Sequence, residues 1–299
     1  QVLQFASSDT ARAVIAEYYL RNERREDANR LLAQINVMPG SSYAASVKQL
    51  YALAESSRFL RQREFGKARE IALDGLRYNP KNTNLLVLLG DIEIAAGAPQ
   101  EAGKVIAQLT QLDPAAPALA DLKAKLALAE GDAVSAIQQF RAMWDRNKND
   151  QSGNRLYQAL NKSDPAGAGL FLAEWQAALP QSDSPLLLRA VQLQGVGNIA
   201  EAQKYYESAL ERNPKNALAL NNLALLYADK GDKRALSLAA KAYELQPNNP
   251  AVLDTYGWLL GRSGGDKAKA VELLRRAQQI APQATEIGAH LRELENVTR

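Results

Sequence analysis

Residues 183–284 contain three consecutive copies of one unit: DSPLLLRAVQLQGVGNIAEAQKYYESALERNPKN (183–216), ALALNNLALLYADKGDKRALSLAAKAYELQPNN (217–249) and PAVLDTYGWLLGRSGGDKAKAVELLRRAQQIAPQA (250–284). Each copy has a helical run, a glycine turn with a polar partner, a second helical run and then proline. The copies end at Pro214, Pro247 and Pro282. These prolines are 33 and 35 residues apart, a period that is typical of arrays of helical hairpins.

Apolar residues in each copy recur at the helical spacing i, i+3, i+4 and i+7. The predicted buried seam of the first copy is Leu186, Leu193, Ala202, Tyr206 and Ala209. Small residues at Ala190 and Ala202 let the two helices approach closely, where a larger side chain would overpack the contact. The turns are predicted at Gly197-Asn198, Gly231-Asp232 and Gly265-Asp266, and the proline separates one hairpin from the next.

On these residues the chain resembles the tetratricopeptide repeat (TPR) proteins. The resemblance implies an all-α solenoid, a right-handed superhelix of about eight hairpins with a C-terminal capping helix. The predicted units are 9–42, 43–82, 83–116, 117–150, 151–182, 183–216, 217–249 and 250–284, followed by a capping helix over 285–299. Residues 1–8 are predicted to be the tail of an upstream segment.

The last third of the chain, from Asp183 to Ala284, further resembles TPR proteins of bacterial exopolysaccharide export, including lipoproteins of the PEP-CTERM systems. That resemblance implies a scaffold that holds an envelope or secretion protein. It also implies a periplasmic location, with the cytoplasm as the alternative.

Composition narrows the classes of function. The formal net charge is +3, from 36 basic and 33 acidic residues with both signs scattered along the chain, so a nucleic-acid partner is not predicted. The sequence has no run of 18 apolar residues and no cysteine, so no membrane insertion and no thiolate chemistry is predicted within this segment. His290 is the single histidine, and no nucleophile or orienting carboxylate is marked beside it. We therefore predict no enzyme activity, no cofactor and no metal, and a structural role for His290.

The TPR resemblance implies that the first helix of each hairpin lines a concave surface, where a partner protein would bind. In the eighth unit Asp254, Trp258 and Arg262 share one helix face, and Trp and Arg are enriched among interface hot spots. The matching positions of the other units are Asn221, Leu225, Leu187, Val191, Gln194, Asp121, Lys125, Asp91, Glu17 and Arg21.

Two further surfaces have weaker support. Chaperone-binding TPR domains carry a carboxylate clamp, which consists of Lys/Arg and Asn side chains at fixed positions of successive first helices. In this chain Asn221 and Asn222 lie near two of those positions. The accompanying lysine is missing, and the eighth unit has Asp254 and Thr255 instead. Recognition of an acidic peptide C-terminus is therefore not predicted on this surface. A basic cluster between 58 and 69 is a second candidate surface, although a solvated helix end and turn is the preferred explanation.

Three alternatives stay open. The segment could be the TPR half of an envelope metalloprotease or assembly factor, which an upstream HExxH helix would reveal. It could be a self-assembling scaffold and hence a homo-oligomer. It could also be a polysaccharide-binding module, although Trp258 is the single aromatic platform on the predicted stripe.

Overall fold

The computed structural model describes residues 8–35, 43–114 and 116–296, and these residues form seventeen helices and no strand. In chain order the helices are α1 (Asp9–Arg21), α2 (Arg25–Ala33), α3 (Tyr43–Arg61), α4 (Phe65–Tyr78), α5 (Thr83–Ala95), α6 (Pro99–Leu112), α7 (Pro117–Ala129), α8 (Ala133–Arg146), α9 (Asp150–Ser163), α10 (Pro165–Ala178), α11 (Ser184–Gly195), α12 (Ile199–Arg212), α13 (Ala217–Asp229), α14 (Arg234–Leu245), α15 (Pro250–Arg262), α16 (Lys267–Ile280) and α17 (Thr285–Asn296). The predicted all-α fold is confirmed.

The helices fall into two compact units, Gln1–Asn147 with α1–α8 and Lys148–Arg299 with α9–α17. Within each unit every odd-numbered helix up to α15 packs against the even-numbered helix that follows it, which makes a hairpin. First helices also contact the first helix of the next hairpin, in the series α1–α3–α5–α7 and again in α13–α15–α17. We call the set of first helices in each unit its inner row.

Every hairpin places one small residue of each helix in a fully or nearly buried position. The pairs are Ala16 and Ala28, Ser56 and Ala68, Gly90 and Ala102, Ala124 and Ala136, Gly153 and Ala168, Ala190 and Ala202, Ala224 and Ala235, and Gly257 and Ala270. A Cβ on Gly257 would lie 3.0 Å from the carbonyl oxygen of Ala270, so the backbones of α15 and α16 nearly touch. Small side chains at these positions set the spacing between the two helices.

Seven of the eight turns inside the described hairpins contain a left-handed residue; the fifth turn passes through Asp164 at φ −142° instead. Glycine supplies the left-handed residue at Gly97, Gly131, Gly197, Gly231 and Gly264, with φ between 68° and 83°. In the eighth hairpin the left-handed residue is Gly264, one position before the predicted Gly265, and Gly265 lies between it and Asp266, the N-cap of α16. Glu23 and Arg63 adopt the same conformation in the first two hairpins, at φ 59° and 62°. A residue with a Cβ is strained there.

Helix α17 covers the apolar end of the last hairpin. Ile287 and Leu294 of α17 are each 5% exposed and join a cluster with Leu253, Leu273 and Leu274. The Leu294 side chain occupies the space that a Cβ on Gly261 would need, so α15 and α17 approach closely at that glycine. The predicted capping helix is therefore present and packed.

Some predictions lie outside the described residues. Of the predicted tail over residues 1–8, residues 1–7 lie outside the described residues. Ser8 is described: it is the N-cap of α1, and its side chain accepts a hydrogen bond from the Ala11 amide. The predicted boundary at Ser42 is also outside, and the unit boundaries remain a prediction. Within the described ranges, no helix is both long enough and apolar enough to cross a bilayer.

Ala202→Leu should destabilise the second unit. Ala190 and Ala202 are both 0% exposed where α11 and α12 pack together, and forcing a larger side chain into such a contact costs roughly 1–3 kcal/mol. Urea unfolding should show that loss, whereas Ala200→Leu, at an exposed position of the same helix, should leave the unfolding free energy nearly unchanged. Equal stability of the two variants would mean that the helix register is wrong.

Gly97→Ala and Gly103→Ala should have opposite effects on the third hairpin. Neither position has an atom within 4 Å of an added Cβ, but Gly97 has φ +72° and Gly103 lies inside α6. The first substitution should therefore cost about 1–2 kcal/mol, and the second should stabilise by up to about 1 kcal/mol. Thermal unfolding of both variants measures the difference, and a shift of the same sign would contradict the backbone argument.

Candidate functional site

The predicted binding residues of the second unit lie on α11, α13 and α15, all first helices of hairpins. Val191 on α11 is 41% exposed. Leu187, Gln194, Leu225, Asp254 and Trp258 are half-buried, Arg262 is exposed, and Asn221 is buried. The row therefore presents apolar and polar side chains side by side, with one cation at the end of α15.

Helix α17 joins the site at the eighth hairpin. The ring of His290 stacks on Trp258, with centroids 4.2 Å apart and planes 15° apart. His290 Nδ1 lies 2.8 Å from Asp254 Oδ1. The guanidinium of Arg262 lies 5.4 Å from the Trp258 ring centroid, within the range of a cation–π contact. The indole is thus held between the capping helix and an exposed cation.

Asp254 is the electrostatically unusual member of this group. Burial raises its pKa above the ordinary aspartate value, and this effect outweighs the opposing hydrogen bond and charge of His290. In the sequence no carboxylate is marked beside His290, and the structure supplies one in Asp254. The two residues are 36 positions apart, about one repeat period, and this spacing was the available signal.

Helices α11 and α13 are tied together by a buried tyrosine. The Tyr206 hydroxyl donates to Gln194 Oε1 at 2.7 Å and accepts from Asn222 Nδ2 at 2.9 Å. Gln194 is therefore already engaged within the fold. Asn221 is 5% exposed, and its Oδ1 has no hydrogen-bond partner among the described residues. An unsatisfied buried acceptor costs roughly 1–3 kcal/mol and calls for an explanation.

In the first unit the predicted residues pair with one another. Lys125 Nζ lies 2.7 Å from Asp91 Oδ1 and 2.9 Å from Asp121 Oδ2, which joins α5 to α7. Burial alone would lower the pKa of Lys125, but its hydrogen bonds to the two carboxylates outweigh burial and raise that pKa. The charged groups here hold the inner row together.

The remaining two predicted residues lie on α1. Arg21 donates to Glu17 at 2.6 Å, and the Tyr43 hydroxyl at the start of α3 donates to the same carboxylate. Both bonds lower the pKa of Glu17, the tyrosine more than the arginine. Like Lys125 with its two aspartates, these groups link one first helix to the next.

The basic cluster Arg58, Arg61, Arg63, Lys67 and Arg69 is largely neutralised. Arg58 pairs with Glu55 at 2.6 Å, Lys67 pairs with Glu64, and Arg69 pairs with Glu93, which is 4% exposed. Arg69 crosses from α4 to α5 to do so. These contacts favour the interpretation of the cluster as part of the hairpin packing. In the part of the chain that the structure describes, no cluster of histidine and carboxylate side chains is arranged to hold a metal ion.

Asp254→Asn should stabilise the second unit at neutral pH. The folded-state pKa of Asp254 is raised by burial, so its stabilising contribution is present at low pH and is lost as pH rises through that pKa. Asparagine carries no charge and keeps a group that can pair with His290. The gain in unfolding free energy should shrink as pH falls toward about 3.9, the ordinary aspartate value.

Urea unfolding of both proteins between neutral pH and that value tests the sign. A variant less stable than the parent at neutral pH would show that pairing with His290 outweighs the cost of burying the carboxylate.

Comparisons with known proteins agree with this architecture. Tetratricopeptide-repeat family profiles match residues 59–126 and 187–250. A TPR repeat-containing protein of Pseudomonas aeruginosa, PA4667, is 29% identical over 178 residues, which is 52% of this chain and 30% of that protein. The chain thus spans less than a third of the curated relative that it matches.

Solved structures support the fold alone. A tetratricopeptide repeat protein from Parabacteroides merdae aligns with a TM-score of 0.51 at 16% identity, over 83% of this chain and 99% of the other. The APC/C hetero-tetramer Cut9–Hcn1 aligns with a TM-score of 0.52 at 16% identity, over 98% of this chain and 64% of the other. The chain therefore contains tetratricopeptide repeats, and its fold is the α-solenoid of helical hairpins that such repeats build.

Proposed function

We propose that this chain is a non-catalytic scaffold that binds a partner protein along the inner row of first helices in its second unit. The observation that carries the proposal is the row itself, in which α13 contacts α15 and α15 contacts α17. An extended inner surface of this kind is the working surface of helical repeat proteins. The tetratricopeptide repeats suggest the same general role, protein–protein interaction.

The chemistry of the row fits a protein segment. Trp258 and Arg262 form a cation–π pair, and both residue types are enriched among interface hot spots. His290 stacks on Trp258 and fixes the indole before any partner arrives. A preorganised side chain loses less conformational freedom on binding, so this pair is the proposed anchor.

The rest of the row supplies apolar area and one polar group without a partner. Val191 offers partly exposed aliphatic surface, and Leu187 and Leu225 are half-buried beside it in the row. The buried oxygen of Asn221 would be satisfied by an N–H donor once the row opens slightly to admit a segment. We therefore propose an apolar segment with backbone or side-chain N–H groups as the occupant.

A more specific role, in the bacterial envelope, is part of the proposal. We propose that the partner is a component of bacterial exopolysaccharide production or export and that the scaffold works in the periplasm. The support for this proposal is the resemblance drawn from the sequence of residues 183–284, and the bacterial relative is compatible with it. Fractionation of cells that express the natural full-length protein would test the location; recovery in the cytoplasm alone would contradict it.

Arg262→Ala should weaken partner capture without affecting the fold. The side chain is exposed, and its contact with the Trp258 ring does not contribute to the core. Loss of a hot-spot contact typically costs more than about 1 kcal/mol, so capture from an envelope extract of the source bacterium should fall several-fold. Trp258→Ala combined with Arg262→Ala should lower it further.

The matched control is Lys241→Ala, which removes an exposed cation from α14, a second helix. It should capture as much partner as the parent, with circular dichroism confirming equal helicity for all variants. Unchanged capture by the Trp258 and Arg262 variants would remove this face from consideration. Recovery of the bait alone would favour self-assembly or an upstream catalytic domain, and light scattering would separate these two.

A further inference from the structure

A groove beside the fifth hairpin is lined by none of the predicted inner-row residues. It lies between α10 on one side and α11 and α12 on the other, with a volume of about 510 Å³. A second depression of about 490 Å³ continues from it and shares Gly169, Ala173 and Arg189 with it. Cavities of this size hold several side chains of a bound segment.

The groove exists because α10 is poor in large side chains on this face. Ala166, Gly169, Ala173 and Ala177 follow one another at i, i+3, i+7 and i+11 and line the two depressions. Leu172 and Leu186 supply the apolar surface of the larger depression. At the rim of the second depression, Leu170 is 78% exposed and Val196 is 75% exposed. Two aliphatic side chains this exposed beside one groove mark a candidate interaction site.

The charges around the groove have one sign. Arg189 and Arg212 both line it, and no carboxylate lines either depression. Arg189 donates to the Gln192 amide at 2.7 Å, and neither arginine forms an ion pair within the described residues. Arg21, Arg58 and Arg69, by contrast, are each paired with a carboxylate. Two unpaired guanidinium groups beside an apolar groove favour an acidic occupant.

A polar group in the groove wall is also unsatisfied. Gln176 lines the larger depression, and its Oε1 is buried with no hydrogen-bond donor among the described residues. Its Nε2 donates to the carbonyl oxygen of Pro180 at 3.3 Å. An occupant with N–H groups would supply the missing donor.

We propose that this groove binds an acidic amphipathic segment of a partner protein. Leucine or phenylalanine side chains of the segment would enter the apolar groove, and its aspartate or glutamate side chains would reach Arg189 and Arg212. The groove is formed by α10, α11 and α12 and uses none of the predicted inner-row residues. A scaffold with both surfaces can hold two partners at once.

The test uses two fluorescein-labelled helical peptides of about 12 residues, a length that covers three turns. Both peptides carry the same leucine and phenylalanine face; one has glutamate and aspartate at all other positions and the other has lysine. Fluorescence anisotropy with the full chain should show at least tenfold tighter binding of the acidic peptide. Because the attraction is ionic, raising the salt concentration should weaken that binding.

Three variants locate the site. The double variant Arg189→Glu with Arg212→Glu should abolish binding of the acidic peptide. Its control is Lys241→Glu with Arg292→Glu, which makes the same charge change at exposed positions elsewhere in the unit and should lower peptide binding only slightly. Ala173→Trp leaves the charge unchanged and fills the groove from an exposed position of α10, so it should also abolish binding. Circular dichroism should show equal helicity throughout.

Equal binding of the two peptides, or full binding by Ala173→Trp, would overturn the proposal. So would sedimentation in which the parent chain is a dimer that Ala173→Trp separates, since the occupant would then be a second copy. Arg262→Ala should leave peptide binding unchanged, which separates failure of this groove from failure of the inner-row proposal.

Discussion

Close contact between the two helices of each hairpin is the constraint on which the rest of the structure depends. Each hairpin buries a small residue in both helices, from Ala16 and Ala28 at one end to Gly257 and Ala270 at the other. When two backbones approach this closely, the larger side chains beside the contact interdigitate and exclude water. The apolar clusters of the two units consist largely of those neighbouring side chains. Hairpin spacing then fixes where the first helices lie, and with them the inner row.

The parts of this fold that the sequence predicts are those with short-range causes. Ala190 and Ala202 lie only 12 positions apart, and the apolar face of α17 is visible in the spacing of its own residues, so helical periodicity is enough to predict both. The site is different. The contact between Asp254 and His290 and the contact between Lys125 and Asp91 join neighbouring first helices. Such pairs depend on how one hairpin is aligned with the next. In a single sequence the only sign of that alignment is that the two paired residues are separated by about one repeat length.

The fifth hairpin shows how local irregularity creates surface. Gly153 allows the Trp175 ring to lie against α9, since an added Cβ would be 2.6 Å from that ring. The indole N–H then donates to Asp150 at 3.1 Å, near the start of α9. The core of this hairpin is thus filled from α10 by an aromatic side chain, while the opposite face of α10 carries alanine and glycine. A large residue on one face and small residues on the other leave the groove beside α11.

The two surfaces of the second unit differ in how they are prepared for a partner. On the inner row, the stack with His290 already holds Trp258 in place, so a partner has to order this side chain little on binding. The same stack leaves less indole surface for the partner to bury. In the groove, Arg189 and Arg212 form no ion pair within the described residues, so an acidic segment would gain ion pairs that the free chain lacks. The first surface relies on shape and a fixed anchor, and the second on charge. Because helical repeats contact only their neighbours, a change at the Trp258 anchor on α15 need not disturb the groove of α10, α11 and α12, which is the property that a scaffold for more than one partner requires.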